Sequence, residues 1–355
     1  MTANICTIFE HTRTDPNRST FYNCASGYRF VKCSVSHVVP GRNRVSSFLN
    51  LTLTALLCRA RYRKHKIDIV ISGDPRIALA VGIVNRLTRA RVKHVVWDFN
   101  THQIYQGLKR SVARFAFRDV GRIVVYSNHE KQVYSTMLNL PVEKVVFKHY
   151  TGPYLEDERY TDLPGQKGDY VVSGGFSGRN YRHLAAVAAR LRDVPFVVLT
   201  YPEAVRGLSF PPNVRIIGGI SEVEYCRYVA NAKLCFLPLA NKETANGQIA
   251  IVQAMALKTL LVTNLTEGTK DYLLPGHNCL VYDEEDMPAT AEMIRATLAD
   301  DRLRERIVCN AHRYATEHFT IRHDLETLHE IVETMGSRTS ADARVGTPST
   351  IGRVC

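Results

Sequence analysis

The sequence predicts an α/β protein made of two doubly wound parallel sheets. Three observations point there. Short β-branched runs alternate with amphipathic stretches of helical length, the pattern of a parallel sheet with helices on both faces. The alternation stops between residues 148 and 168, where Pro153, Glu156, Asp157, Glu158, Pro164 and Gly165 make a polar, turn-rich linker. It then restarts, and 355 residues are enough for two such units, each with its own core.

In the first half, strands are expected at 5–9 and 28–35. A helix follows over 45–64, apolar at Phe48, Leu49, Leu51, Leu53, Leu56 and Leu57, with Arg59, Arg61, Arg63 and Lys64 crowding its end. The β-branched strand 67–72 leads to a helix over 76–87, a strand at 93–99 and an amphipathic helix over 107–119. A strand at 122–127 and a helix over 128–138 close the half. In the second half, strands fall at 170–173, 196–200, 214–217 and 234–237, with helices over 182–192 and 221–231. Residues 249–257 are apolar-periodic, 260–263 read as a buried strand, and helices over 288–298, 301–317 and 324–335 finish the pattern. Pro288 suits a first helical turn, where its missing N–H costs nothing. Units are therefore drawn at 1–160 and 168–320, with a C-terminal helix at 321–335. The tail 336–355, rich in Ser, Thr, Gly and Arg, is expected to be disordered.

Hydrophobic content of 45% and charged content of 23% are those of an ordinary globular protein. No run of eighteen uncharged apolar residues predicts a spanning helix. Residues 1–10 are too polar for a secretory signal, so a cytoplasmic location is expected. The net charge of +12 is uneven: residues 1–150 carry 24 Lys/Arg against 8 Asp/Glu, and residues 151–355 carry 22 against 26. The first half should therefore face something anionic: nucleic acid, an anionic membrane or a phosphorylated acceptor. Nucleic acid is disfavoured, because the basic residues are not interleaved with an aromatic stacking platform. The cluster Lys109, Arg110, Arg114, Arg118 and Arg122 shares a helix with Leu108, Val112, Phe115 and Ala116. A basic amphipathic helix with aromatic residues is a membrane-surface signature. Nine cysteines, none in a C-x-x-C pair, read as reduced buried thiols rather than disulfides or metal ligands.

Two loops carry chemistry. Ala245-Asn246-Gly247-Gln248 opens directly into the apolar run, offering backbone N–H groups and a positive dipole end to an anion such as phosphate. Val172-Ser173-Gly174-Gly175-Phe176-Ser177-Gly178-Arg179 is a strand ending in glycines, where a ligand approaches the backbone closely and Arg179 reaches a diphosphate. Gly218-Gly219-Ile220 is a weaker glycine turn after a strand. Gln253 is placed to point back from its helix at a ligand. In the first half, Asp98 and His102 come after a strand, so they fall at its C-terminal edge, where a carboxylate and an imidazole suit acid–base work.

The stretch 244–280 resembles the donor-site signature of family 4 glycosyltransferases. Gln253-Ala254-Met255-Ala256 falls on the second glutamate of that pattern and its tail; Gly268, Asp271, Tyr272 and the run 276–281 fall on the later part of the signature. Ala245 stands where the first glutamate belongs, and Gln253 replaces the second. The resemblance implies the GT-B architecture, two Rossmann-like domains facing across a cleft, with an acceptor-binding first domain and a nucleotide-sugar-binding second one. It implies donor contacts at Gly174, Gly175, Ser177, Arg179, Gly219, Asn246, Gly247, Gln248 and Gln253, and a histidine near the donor sugar, which His102 matches. With no Asp-x-Asp pair in a suitable loop, no metal and no cofactor beyond the nucleotide-sugar substrate are expected. The expected partners are that donor, a glycan or lipid-linked acceptor, and an anionic membrane surface at the inner face of the cell membrane. The implied reaction is sugar transfer with retention. Its alternatives are an inactive nucleotide-sugar-binding protein and a basic polyanion-binding protein.

Overall fold

The computed structural model describes residues 3–9, 27–34, 44–101, 103–163, 165–240 and 243–342. Its first half runs β1 (Ala3–Phe9), β2 (Tyr28–Ser34), α1 (Arg44–Lys64), β3 (Ile69–Ser72), α2 (Pro75–Leu87), β4 (Lys93–Val96), α3 (Gly107–Phe117), β5 (Arg122–Val125), α4 (Asn128–Leu138) and β6 (Val145–Phe147). The second half runs α5 (Glu158–Thr161), β7 (Gly168–Gly174), α6 (Tyr181–Arg190), β8 (Phe196–Leu199), β9 (Val214–Ile217), α7 (Glu222–Asn231), β10 (Ala232–Leu237), α8 (Gln248–Ala256), β11 (Leu260–Thr263) and β12 (Leu280–Val281). Helices α9 (Met287–Ala299), α10 (Asp301–His318) and α11 (Ile321–Asp342) complete it.

The strands form two six-stranded sheets, ordered β2-β1-β3-β4-β5-β6 and β12-β11-β10-β7-β8-β9, and every pairing between them is parallel. Parallel strands are covered on both faces, which is why β3 and β11 are buried along their whole length. In each sheet the chain reverses its direction of travel once, between β1 and β3 in the first and between β7 and β10 in the second. Loops leaving the strand ends at such a reversal diverge and leave a crevice.

Local signals set the helix starts. Ser127 caps α4, Ser221 and Glu224 form a reciprocal capping box on α7, and Asp286 caps α9 ahead of Pro288. The structure departs from the sequence reading in four places. The strand expected at 93–99 stops at Val96, because Asp98 takes φ 61° and turns the chain. Edge strands β6 and β12, three and two residues long, are too short to show a period. The linker is packed rather than loose: Tyr154 and Tyr160 are buried in the core of the second half. Helix α11 continues to Asp342, into the stretch expected to be disordered; residues 343–355 lie outside the described ones.

Two helices carry large apolar residues on their outer faces. Helix α1 buries Leu51, Ala55, Cys58 and Tyr62 and leaves Phe48, Leu49, Leu56 and Leu57 in solvent, because it carries more apolar residues than one face can hold. Helix α3 buries Ala113, Ala116 and Phe117, while Leu108 and Phe115 face outward. Helix α11 crosses back to the first half, where Leu328, Ile331 and Met335 cover the face of the first sheet formed by Ile5, Ile69, Ile71, Val95 and Trp97. Among the described residues no helix is long and apolar enough to cross a membrane.

Candidate functional site

The crevice of the second sheet lies between the loops after β7 and β10, and these are the two loops singled out in the sequence. Arg179 joins them. Its Nε donates to the Gly174 carbonyl at 2.7 Å, and its Nη1 donates to the Ser177 carbonyl at 2.9 Å and to Asn246 Oδ1 at 3.1 Å. Asn246 Nδ2 in turn donates to the Gly178 carbonyl at 2.8 Å. Two glycines make this possible. Gly175 has φ +102°, and a Cβ there would lie 2.5 Å from Arg179 Nη2; Gly178 has φ +61°, and a Cβ would lie 1.9 Å from Asn246 Nδ2.

Every acceptor of the Arg179 guanidinium is neutral, and no described carboxylate pairs with it. Burial pulls its pKa below the ordinary arginine value. A partly buried cation without a counter-ion is costly unless an anion completes it. Beside it, α8 begins at Gly247 (φ 92°) with no side chain capping its first turn. Its free N–H groups and dipole end add to the same positive field. The pair suits a diphosphate.

The two glutamines sit differently from one another and from expectation. Both are buried. Gln248 donates its amide to the Gly268 carbonyl at 2.7 Å. Gln253 donates to the Tyr154 hydroxyl at 3.1 Å, and that hydroxyl donates to Glu222 at 3.1 Å. Gln253 is thus held by the packed linker, and Glu222 stands one hydrogen bond beyond it. Gly219, at φ +71°, has open space where a side chain would project.

The first half meets this region through residues that the sequence did not single out. Asn100 Nδ2 donates to the Ala245 carbonyl at 2.7 Å, and Glu130 Oε1 accepts the Ala245 N–H at 3.0 Å. Glu130 Oε2 accepts the Tyr126 N–H at 3.1 Å, and the Tyr134 hydroxyl donates to Oε1 at 3.2 Å. Burial raises the Glu130 pKa to about 7 against the pull of these hydrogen bonds. A carboxylate therefore lies against position 245, where the sequence has alanine, but it comes from the opposite half of the chain. The only linear hint was the Ser127-x-x-Glu130 spacing of a helix start, which gives no long-range partner. Nearby, Asp271 accepts the Asn128 N–H at 2.8 Å and its side-chain amide at 2.7 Å. His149 Nε2 lies 2.8 Å from the Asp271 carbonyl, and burial lowers its pKa.

Asp98 lies on the first-half side of this junction, its carboxylate against the Tyr126 phenol, which burial first and Asp98 second push well above the ordinary range. The structure thus brings Gly174, Gly175, Ser177, Arg179, Asn246 and Gly247 together and leaves Asp98 in a separate group with Tyr126. His102 lies outside the described residues.

Residues 179–330 match a family described as glycosyl transferase-like. No curated protein matches the sequence. Among solved structures the chain is similar to a glycosyltransferase from Rickettsia africae ESF-5, with TM-score 0.67 and 13% identity over 93% of this chain and 97% of that one. It is similar to the sucrose-phosphate synthase of Thermosynechococcus elongatus, with TM-score 0.69 and 13% identity over 95% and 100%. It is also similar to Anabaena Alr3699/HepE in complex with UDP, with TM-score 0.66 and 12% identity over 94% and 100%.

Proposed function

We propose that this chain, whose two parallel sheets follow the GT-B fold of similar solved glycosyltransferases and whose residues 179–330 match a glycosyl transferase-like family, is a glycosyltransferase that moves a sugar from a nucleoside-diphosphate sugar to a glycan or lipid-linked acceptor. The observation that carries the donor class is Arg179: a guanidinium with only neutral partners, fixed beside the uncapped start of α8. A diphosphate placed there takes the guanidinium on one side and the α8 N–H groups on the other. As the glycosidic bond breaks, negative charge grows on that diphosphate, and groups already aimed at it stabilise the transition state more than the ground state. In this reading the protein itself carries the leaving-group charge, no cofactor beyond the donor is used, and transfer proceeds with retention. In the same reading Asp98 and His102 keep their acid–base role, His102 lying outside the described residues. UDP is the first nucleotide to try, since the similar Anabaena protein was solved with UDP.

An anionic membrane is the proposed surface on which the acceptor is met. Helices α1 and α3 turn Phe48, Leu49, Leu56, Leu57, Leu108 and Phe115 outward, among the basic residues of the first half. A cavity of about 460 Å³ on that side is lined by Arg86, Arg114, Arg118 and Phe115, which suits an anionic headgroup. Not every basic residue is free for this role: Arg114 caps the carbonyls of Thr136 and Met137, and Arg86 pairs with Asp119.

A second reading, a nucleotide-sugar-binding protein without turnover, is favoured by one observation: Ala245 and the engaged Gln253 leave both glutamate positions of the donor signature without a carboxylate. Thermal unfolding with UDP, GDP, TDP and ADP tests the donor site. A nucleotide at about 100 times its Kd adds roughly 2.7 kcal/mol of stability. One nucleotide is expected to stabilise the chain and to lose that effect in Arg179→Ala; no stabilisation by any of the four would defeat the donor assignment. Donor hydrolysis or transfer by a chain that binds then separates an enzyme from a silent binder.

A further inference from the structure

Outside the loops described above, three thiols converge in the core of the first half. Cys6 on β1, Cys33 on β2 and Cys58 on α1 are all buried, and their sulfurs lie within 4.8 Å of one another. Cys6 Sγ and Cys33 Sγ are 3.5 Å apart. The parallel register explains their meeting, because Cys6 faces Val31 and Cys33 faces Ile8, two residues further along, on the same side of the sheet. Cys58 reaches them from the inward face of α1.

The next turn of α1 adds two groups. Arg61 Nη1 lies 3.4 Å from Cys33 Sγ, supplying a positive charge to a buried sulfur. Tyr62 is buried beside the thiols, close enough to feel the charge of Cys6 and Cys58, with Asn85 next to its hydroxyl.

We propose that Cys6, Cys33 and Cys58 form a three-thiolate site for a soft, thiophilic metal ion, Cu(I) ahead of Zn(II), that staples β2 and α1 to β1. Thiolate ligands select such ions. Metal–sulfur bonds of about 2.3 Å set the sulfurs roughly 4 Å apart, so the 3.5 Å Cys6–Cys33 pair has to open and any wider pair to close, each by less than about 1 Å. Structural Zn(II) sites take four ligands, whereas no described histidine or carboxylate joins these three sulfurs. Binding replaces the thiol protons, which leave to solvent, and Arg61 offsets part of the negative charge that remains. Because the site is closed, loading accompanies folding.

The test uses the full chain, refolded anaerobically with Cu(I) in the presence of a competing Cu(I) chelator and then desalted. Wild type and Cys309→Ser, which removes an exposed thiol, are expected to keep one Cu(I) per chain. Cys33→Ser and Cys58→Ala are expected to keep less than a tenth of that. Since either core variant could fail to fold, thiol alkylation of the wild type with peptide mass mapping is a second readout. Peptides bearing Cys6, Cys33 and Cys58 should be protected together by the metal, at least tenfold over the unloaded chain. The site is overturned if the wild type keeps no metal, if all variants keep it equally, or if the chain purified without reductant carries a Cys6–Cys33 disulfide and its reduced form takes no metal. Zn(II) held against a chelator as firmly as Cu(I) would overturn the three-coordinate assignment.

Discussion

Glu130 shows how much a single side chain at the junction can weigh. Its carboxylate is buried and accepts two backbone N–H groups, one of them from the opposite half. Burial raises its pKa from 4.5 to about 7. The sign comes from proton binding. Below pH 4.5 the group is protonated in both states; between pH 4.5 and 7 the folded chain holds a proton that the unfolded chain has released. Rising pH therefore removes stability through that window, by about 3 kcal/mol if the whole shift is expressed. Urea unfolding at pH 5 and pH 8 should show this loss in the wild type and a flatter response in Glu130→Gln. Equal slopes in the two would mean that Glu130 is not the titrating group. Arg179 and Gly175 belong to the same scale. The motif made both legible, whereas Glu130 was not, since 115 residues separate it from Ala245.

At the scale of elements, helix α11 ties the two halves together. Its sequence announces an amphipathic helix but not its target, since an apolar stripe states only that it will be covered. The structure lays Leu328, Ile331 and Met335 on the first sheet, and Asp324 reaches back to Lys148 at 2.7 Å. Leu328 is fully buried, so Leu328→Ala should cost about 3 kcal/mol through lost burial and a cavity. Arg322→Ala breaks only an exposed pair with Glu326 and should cost less than about 0.5 kcal/mol. Denaturant midpoints measure both; similar losses in the two variants would refute the packing of α11 on the first half. Helix α1 is the reverse case. It offers apolar residues all round, and the neighbouring β1, β2 and α2 cover only the face bearing Leu51, Ala55, Cys58 and Tyr62.

At the scale of the molecule, the excess positive charge and the exposed apolar residues of α1 and α3 fall together on the first half, while the glycine loops around Arg179 lie on the second. Exposed Leu56 and Leu57 take no part in the core, so replacing both with aspartate should leave nucleotide stabilisation unchanged. Each basic residue near an anionic bilayer contributes about 1 kcal/mol, screened by salt. The chain should therefore sediment with vesicles containing anionic lipid, less so at high salt, and severalfold less in the double variant. Indifference to lipid charge, or to the substitutions, would remove the membrane from the proposal.

The sequence by itself determined the part written in local pattern. Strand and helix alternation, the break between the two halves, the glycine loops and the uneven charge are properties of short windows or of composition, and they dictate the α/β class and the loops that carry Arg179 and Asn246. Tertiary structure decided everything that depends on which distant segments meet. It set Glu130 and Asn100 against Ala245, Tyr154 against Gln253, the outward turn of α1, and the convergence of Cys6, Cys33 and Cys58 from three elements. A period of 2.0 or 3.6 residues specifies a face. Only the packed chain specifies what that face touches.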